Sequence, residues 1–469
     1  MRRSPRTAAL LASPLRWLLA AWLLAASGCS DSSAPAADLA DAVADAAIDA
    51  PAGDVATPDS APSAPTVTLP RTSITAAELA LVVNEQDPQS VAVASYYQAK
   101  RAIPAANVVR LSFAPATTIT PTELAALKTQ LDAALGPDIE GLAITWTQPH
   151  RVGCMSITSA LTFGYADKWC NDKSKSGQSC GQTAPSPYFA SDTTRPFTDH
   201  GIRPAMMLAG LSTTDVEALV DRGLAAEATF PSGLGYLVRT TDTARSVRHT
   251  YFQQTVDLFD PLESGLDLRI VDNSAGAAAD NHISGAKDVL FYFTGLAQLD
   301  KLDTNTYLPG AVADHLTSFG GQIKDANAGG QTSCLRWLEA GVTGSYGTVV
   351  EPCNFVQKFP FTVELLSRYF GGATLLEAYW KSVRWPGEGI FIGDPLARPW
   401  GSTSSYDAGS RTLTIKTSVM RPGKTYELRA RVAGGAWQVV ASESPLSRKV
   451  RTFVVSPVAH DEFELREKP

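Results

Sequence analysis

A regular alternation of apolar runs and helical patterns between residues 78 and 146 constrains this chain more than any other feature. Residues 79–83, 107–113 and 141–146 form short apolar runs that predict strands, and residues 88–101 and 121–135 have the spacing of helices. Strands that alternate with helices pair in parallel, with helices on both faces of the sheet. The sequence therefore predicts a doubly wound, mostly parallel α/β sheet.

The same alternation resumes after an interruption. Residues 150–205 are rich in Gly, Ser and Pro and hold three cysteines, which predicts a long insertion stapled by disulfides, with Cys170 and Cys180 as the favoured pair. Further apolar runs predict strands at residues 206–211, 235–240, 267–271, 288–293, 347–350 and 389–395. We expect an α/β domain over residues 71–400, as one large unit or two fused halves, and see no internal sequence repeat.

The pattern changes after Trp400. Short alternating apolar runs at residues 411–417, 425–432, 437–441 and 449–455 predict strands without intervening helices. About seventy residues of this kind predict a small β-sandwich over residues 401–469.

The first seventy residues have the composition of an export leader and a tether. Basic residues precede an apolar run at residues 17–26, which is too short to span a bilayer, and small residues lead into Cys29. This end resembles a lipobox, which predicts a signal peptide over residues 1–28 and a diacylated Cys29 in the bacterial envelope, with the outer membrane as the expected membrane. An ordinary secretory signal with an incidental cysteine is the alternative. Residues 29–70 hold seven acids among Ala, Pro, Ser and Thr, which predicts a disordered tether.

Charge and missing motifs exclude several function classes. Without the four arginines of the leader and the seven acids of the tether, 36 basic residues face 40 acidic ones, a balance that argues against nucleic-acid binding. The chain has no P-loop and no GxGxxG after its first strand, so we expect no cofactor. Its cysteines lack paired CxxC spacing, so we expect no metal.

Two residues at predicted strand ends suggest nucleophilic chemistry. Cys353 follows the strand at residues 347–350, and His315 falls in a predicted loop after the strand at residues 288–293. A neighbouring imidazole lowers the pKa of a thiol and activates it as a nucleophile, and Asp314 or Asp394 would orient that imidazole.

Each of these residues also has an ordinary structural explanation. Five cysteines follow Cys29, so at least one is left over, and Cys353 could instead pair with Cys334 or Cys154, or stay free and inert. His315 could be an ordinary loop histidine, and Asp394 a helix cap or turn residue. Several tryptophans near predicted strand ends could form a sugar platform or could pack in the core: Trp146, Trp169, Trp380, Trp385 and Trp400.

Several short motifs carry a resemblance to a known family. They include Asp87-Pro88-Gln89-Ser90, the stretch from Tyr292 to Leu296, Asp314-His315-Leu316-Thr317-Ser318, residues 345–360, and Gly393-Asp394-Pro395. Over roughly residues 78–400 the chain resembles an exported bacterial family of uncharacterised function, found in genomes that often also carry exosortase. This resemblance implies no activity.

A weaker resemblance is to gingipain-type cysteine peptidases. Those enzymes have a caspase-like fold, a histidine and then a cysteine after successive strands, and an immunoglobulin-like module that follows. The resemblance implies that His315 and Cys353 form the dyad. The chain departs from it at Leu316, because a glycine follows the gingipain histidine.

Two function hypotheses of different classes follow. The first is a cysteine peptidase or transpeptidase-like hydrolase that uses Cys353 and His315. The second is a catalytically inactive envelope module, anchored to the membrane at Cys29, that binds a polypeptide or a glycan at the same sheet edge.

Overall fold

The computed structural model of the chain describes residues 63–170, 181–323, 327–328 and 330–468. Its strands are β1 (Thr66–Thr68), β2 (Leu79–Asn84), β3 (Val108–Leu111), β4 (Thr118–Ile119), β5 (Gly141–Ile144), β6 (Arg151–Val152), β7 (Met155–Ser156), β8 (Ala205–Met207), β9 (Gly233–Arg239), β10 (Leu266–Asp272), β11 (Val289–Gly295), β12 (Tyr307–Leu316), β13 (Asn327–Ala328), β14 (Gln331–Thr332), β15 (Gly344–Thr348), β16 (Gly389–Gly393), β17 (Thr403–Asp407), β18 (Thr412–Thr417), β19 (Tyr426–Arg431), β20 (Gln438–Glu443), β21 (Arg451–Val455) and β22 (Glu462–Glu467).

The helices of the described residues are of two kinds. The α-helices are α1 (Pro88–Arg101), α2 (Pro121–Ala134), α3 (Ile157–Phe163), α4 (Pro196–His200), α5 (Thr213–Ala225), α6 (Phe252–Val256), α7 (Pro261–Ser264), α8 (Leu335–Glu339), α9 (Thr362–Phe370) and α10 (Leu375–Ser382). Short 3-10 helices are at Ala76–Glu78, Ala105–Asn107, Asp167–Trp169, Ser246–Tyr251, Ala278–Asp280, Leu302–Thr304, Val356–Lys358 and Pro386–Glu388. In this part of the chain, none is long and apolar enough to cross a membrane.

A mostly parallel ten-stranded sheet forms the body of the protein. Its strand order is β10-β9-β11-β12-β15-β16-β8-β5-β2-β3. Strands β3, β2, β5 and β8 pair in parallel, and so do β10, β9, β11, β12 and β15. Strand β15 pairs antiparallel with β16, and Ile392 of β16 bridges to Met207 of β8. The predicted α/β architecture is confirmed.

The two sides of the β15–β16 pair repeat one strand order. From the outer edge inwards, the four strands on one side lie in the order β3-β2-β5-β8, and those on the other side lie in the order β10-β9-β11-β12. On both sides, the second strand in the chain is therefore outermost, followed by the first, the third and the fourth. The first strand of each side ends in the same turn. The amide of Asn84 donates to the hydroxyl of Ser90 at 2.9 Å, and the amide of Thr240 donates to the hydroxyl of Ser246 at 2.9 Å, in both cases six residues on. This structural repeat was not visible in the sequence pattern.

Both faces of the sheet are buried, as a doubly wound fold requires. Successive side chains of a strand point to opposite faces. In β2, Leu79, Leu81 and Val83 join one apolar cluster, and Ala80 and Val82 join another. Burying each large aliphatic side chain stabilises the fold by roughly 1.5–3 kcal/mol.

Helix α1 shows how local signals set the layers. Asp87 caps its amino end by accepting the amide of Gln89, Pro88 occupies the first turn, and Ala102 ends the helix in the left-handed conformation. Its bounds match the predicted 88–101. Its buried residues Val93 and Tyr97 face the sheet, so the helix holds one layer in place.

The C-terminal residues form two small sheets with a shared apolar cluster. One sheet has the order β17-β18-β21 and the other β1-β22-β19-β20. Leu413, Leu428 and Phe463 lie in the same cluster. Strand β1 runs parallel to β22, so Thr66–Thr68, which were predicted to belong to a disordered tether, are part of a sheet. The leader and Cys29 lie outside the described residues.

Candidate functional site

His315 lies inside a strand, so its placement in a loop was wrong. It is the penultimate residue of β12 and is fully buried. The indole nitrogen of Trp337 donates to Nδ1 at 3.1 Å, and Nε2 lies 3.0 Å from the carbonyl oxygen of Thr332. A carbonyl can only accept, so Nε2 carries the proton and Nδ1 is an acceptor.

This environment keeps the His315 imidazole neutral. Burial lowers the pKa of His315 to about 3, and the nearby charges of Arg248 and Arg245 act in the same direction. A proton on Nδ1 would face the indole N–H of Trp337. Both ring nitrogens are thus engaged by structural partners, and the side chain has neither the access nor the basicity of a general base at neutral pH.

Asp314 does not orient His315. The two residues are consecutive in β12, so their side chains point to opposite faces of the sheet. The carboxylate of Asp314 is fully buried and pairs with Arg248 at 2.6 Å. Burial raises the pKa of Asp314, and Arg248 opposes that rise. Asp314 therefore belongs to a buried ion pair that packs the other side of the sheet.

Cys353 follows β15 at the same edge of the sheet as the end of β12. Its backbone has φ of 53°, a left-handed conformation that is uncommon outside glycine, and its amide donates to the Glu351 carboxylate at 2.8 Å. The sulfur is in a disulfide. The described residues therefore do not bring a free Cys353 thiol to an imidazole.

The cysteine pairing differs from the expected one. Cys154 pairs with Cys170, with a Cα–Cα distance of 5.7 Å, so Cys170 is not bonded to Cys180, which lies outside the described residues. Cys334 is a free and fully buried thiol whose pKa is raised by burial. Neither Cys334 nor Cys154 is thus the partner of Cys353.

Asp394 lies at the opposite edge of the sheet from Cys353. Gly393 pairs with Gly344 at the start of β15, whereas Cys353 follows the end of that strand. Asp394 is fully buried, accepts the Tyr97 hydroxyl at 2.7 Å and pairs with Arg101. It cannot orient His315, and its contacts make it a joint between α1 and the end of β16.

A cavity of about 390 Å³ lies beside Cys353. Its lining residues come from the loop after β9, the end of β12 and the segment after β15: Ala244, Arg245, Leu316, Thr317, Ser318, Glu351, Pro352, Cys353 and Asn354. Because these segments follow neighbouring parallel strands, their loops meet at one edge, where ligands of such sheets bind.

Arg245 organises this cavity. Its Nη1 lies 2.8 Å from the Asp242 carboxylate, and its Nε donates to the Thr317 hydroxyl at 3.2 Å. Thr317 in turn donates to the side chain of Gln331 at 2.6 Å. Sequence reasoning had not singled out Arg245. Its position just after a strand at the carboxyl edge was the available signal.

The five tryptophans do not form a sugar platform. Trp146, Trp380 and Trp400 are at most 1% exposed, and Trp169 and Trp385 are at most 8% exposed. Their rings pack within the core, so the alternative of core packing is correct. No aromatic side chain lines the cavity beside Cys353 among the described residues.

Comparisons with known proteins do not assign this site. No family model matches the chain, and neither a curated protein nor a solved structure matches it. Across the described residues, no group of three or more His, Cys, Asp or Glu side chains is arranged to hold a metal ion.

Proposed function

We propose that this protein is an exported binding module without peptidase activity, held in the bacterial envelope by a lipid at Cys29, and that it binds a polypeptide in the cavity beside Cys353. The disulfide at Cys353 carries the proposal, because a sulfur in a disulfide cannot attack a peptide carbonyl. The buried and neutral His315 supports it, since the imidazole that was expected to activate the thiol cannot act as a base at neutral pH.

The lining of the cavity favours a polypeptide over a glycan. Arg245 and Asn354 supply donors, Glu351 supplies an acceptor, and the hydroxyls of Thr317 and Ser318 supply both. A polypeptide backbone presents alternating donors and acceptors that match such a lining. Sugar rings commonly stack on aromatic faces, and the tryptophans that could have offered them are buried.

We further infer the finer fold that accompanies this function. The repeated strand order supports a two-part α/β domain of the caspase/flavodoxin type, with the cavity at the carboxyl edge of its second half. The two C-terminal sheets around one apolar cluster support a β-sandwich.

A thiol count separates this proposal from the peptidase hypothesis. The exported protein is treated with a thiol-alkylating reagent under native conditions, then unfolded without reductant and treated with a second, isotopically distinct one. We expect no label on Cys353 in either step and label on Cys334 only after unfolding. Native labelling of Cys353 that is lost in a His315→Ala variant would instead support the peptidase.

Peptide binding is tested by panning a random-peptide display library on the intact exported protein. Affinities of enriched peptides are then measured for the wild type, for Arg245→Ala, and for Arg269→Ala, a matched change in an exposed Arg–Asp pair on β10. We expect at least a tenfold loss for Arg245→Ala and none for Arg269→Ala. Equal losses, or saturable binding only on a glycan array, would contradict the proposal.

A further inference from the structure

A second cavity, of about 190 Å³, lies between the α/β domain and the C-terminal sheets. Four parts of the chain line it: the segment before β2, the segment before α4, the neighbourhood of α9 and α10, and the C-terminal sheets. Its lining residues are Pro70, Arg71, Thr72, Asp192, Thr194, Ser367, Arg368, Gly371, Ala373, Lys381, Val419, Arg421, Tyr426, Arg448 and Glu467. It is separate from the cavity beside Cys353 and shares no residue with it.

Positive charge dominates this lining. Five cations face two carboxylates, those of Asp192 and Glu467. Three of the cations have carboxylate partners: Arg71 lies 2.8 Å from Glu78, Arg368 lies 3.2 Å from Glu364, and Arg421 lies 2.9 Å from Glu467. Asp192 also pairs with Arg368 and Arg421. Two cations, Lys381 and Arg448, remain.

Lys381 and Arg448 are buried without a partner of opposite charge. They are 2% and 8% exposed. Within the described part of the chain, neither side chain makes an ion pair, and Nε of Arg448 has no hydrogen-bond partner. The ammonium of Lys381 lies 5.0 Å from the centre of the Tyr188 ring. Burying an unpaired charge is costly, so two such groups around one cavity call for a counter-charge.

The pKa values of both groups reflect this cost. Burial and then the neighbouring Arg421 lower the pKa of Arg448 to about 10. Burial lowers the pKa of Lys381, although Glu377 opposes the shift. These directions are those expected for cations that lack a bound anion.

The end of α9 does not supply the missing charge. A Cβ on Gly371, which follows α9, would lie 3.6 Å from Nη1 of Arg448, so the guanidinium is beside the carboxyl end of that helix. The partial negative charge there is roughly half an elementary charge. It compensates a fraction of one cation, and Glu377, which does not form an ion pair with Lys381, compensates that cation only in part.

We propose that this cavity binds a phosphate dianion, either free or as a phosphomonoester, with Arg448 and Lys381 as its main ligands. Two buried cations without ion-pair partners match the charge of a phosphate group, which approaches −2 at neutral pH. The planar guanidinium binds two phosphate oxygens at once, and the ammonium acts as a point charge. The hydroxyl of Ser367 at the same wall offers a further donor.

Calorimetric titration of the intact exported protein tests this proposal. The titrants are inorganic phosphate, glycerol 3-phosphate and acetate in phosphate-free buffer at constant ionic strength. The variants are Arg448→Met and Lys381→Met, which keep an apolar stem and remove the charge. Arg451→Met is the control, because Arg451 is an exposed cation of the C-terminal sheets that pairs with Glu443 outside the cavity.

We expect saturable binding of at least one phosphate compound, at one site per chain, and at least a tenfold loss of affinity in each cavity variant. The control should stay within twofold of the wild type. Binding of inorganic phosphate alone identifies the free ion as the ligand, and tighter binding of glycerol 3-phosphate identifies a phosphomonoester. No saturable phosphate binding, equal affinity for acetate, or unchanged affinity in Arg448→Met and Lys381→Met would overturn the proposal.

Measuring Tm distinguishes an Arg448 that binds an anion from an Arg448 that has only a structural role. Without phosphate, Arg448→Met removes an unpaired buried charge, so its Tm should equal or exceed that of the wild type, and phosphate should raise only the wild-type Tm. A lower Tm with unchanged phosphate binding would refute the assignment. If Arg448→Met does not fold, Arg448→Lys keeps the charge and should bind phosphate more weakly than the wild type. Wild-type affinity in that variant would also refute it.

Discussion

Acid should destabilise this protein through His315. The folded state keeps this imidazole neutral with a pKa of about 3, whereas the unfolded chain takes up a proton below about pH 6.5. The stabilising contribution of the neutral ring is therefore complete above pH 6.5 and decreases as the pH falls. The loss ends near pH 3, where the folded protein protonates as well. Between pH 8 and pH 5 the difference in pKa corresponds to a loss on the order of 2 kcal/mol.

Urea unfolding followed by tryptophan fluorescence measures this loss. The free energy of unfolding is determined at pH 8 and pH 5 for the wild type and for His315→Gln, which removes the titrating ring. We expect the variant to be less stable at pH 8, because the contacts of Trp337 and Thr332 are disturbed, but to lose about 2 kcal/mol less than the wild type on acidification. A His460→Gln variant controls for removing a half-exposed histidine.

Equal pH dependence of the wild type and the variant would contradict this prediction. If the wild type and His315→Gln lose the same free energy between pH 8 and pH 5, His315 is not held neutral in the folded state. The peptidase hypothesis would then regain its base. A Trp337→Phe variant gives a second check, because removing the indole donor should raise the pKa of His315 and reduce the loss on acidification.

Three further predictions concern the opposite edge of the sheet and the leader. Asp394→Asn should lower the free energy of unfolding by about 3 kcal/mol, because it leaves the buried Arg101 without its main partner. A loss no greater than that caused by Asp272→Asn, which breaks an exposed ion pair, would contradict this prediction. Gly223→Ala should destabilise far more than Gly136→Ala, since a Cβ at Gly223 would lie 1.9 Å from the carboxylate of Asp394 and one at Gly136 meets nothing within 4 Å. Cys29→Ser should abolish labelling by a fatty-acid analogue, and persistent labelling would exclude lipidation at that cysteine.

Local signals made much of the sheet predictable. Helix α1 has an Asp cap, a Pro in its first turn and an apolar stripe, and its predicted bounds agree with the structure. No strand was predicted at the position of β12, and its polar residues Asp314 and His315 are typical of loops. Their burial depends on Arg248 and Trp337, which lie 66 and 22 residues away along the chain and could not be located from a pattern.

The position of the candidate site could be predicted from the sequence, but its chemistry could not. The sequence indicated that Cys353 ends a strand at the carboxyl edge, and the cavity beside it lies there. The disulfide pairing could not be derived, because cysteine spacing leaves several connectivities open. The assignment of Asp394 to the same site failed because pairing registers, which decide which edge a residue occupies, are long-range properties.

The position of β16 has a consequence for how the chain reaches its native state. This strand lies between β8 and β15 in space, yet it is among the last parts of the α/β domain in sequence. Until residue 393 is available, the two groups of parallel strands have open inner edges that can pair with other chains. Such long sequence separation slows folding. An export route that delivers the chain unfolded would let β16 insert once the whole domain has been released, and a truncation before Gly389 should yield an aggregating product.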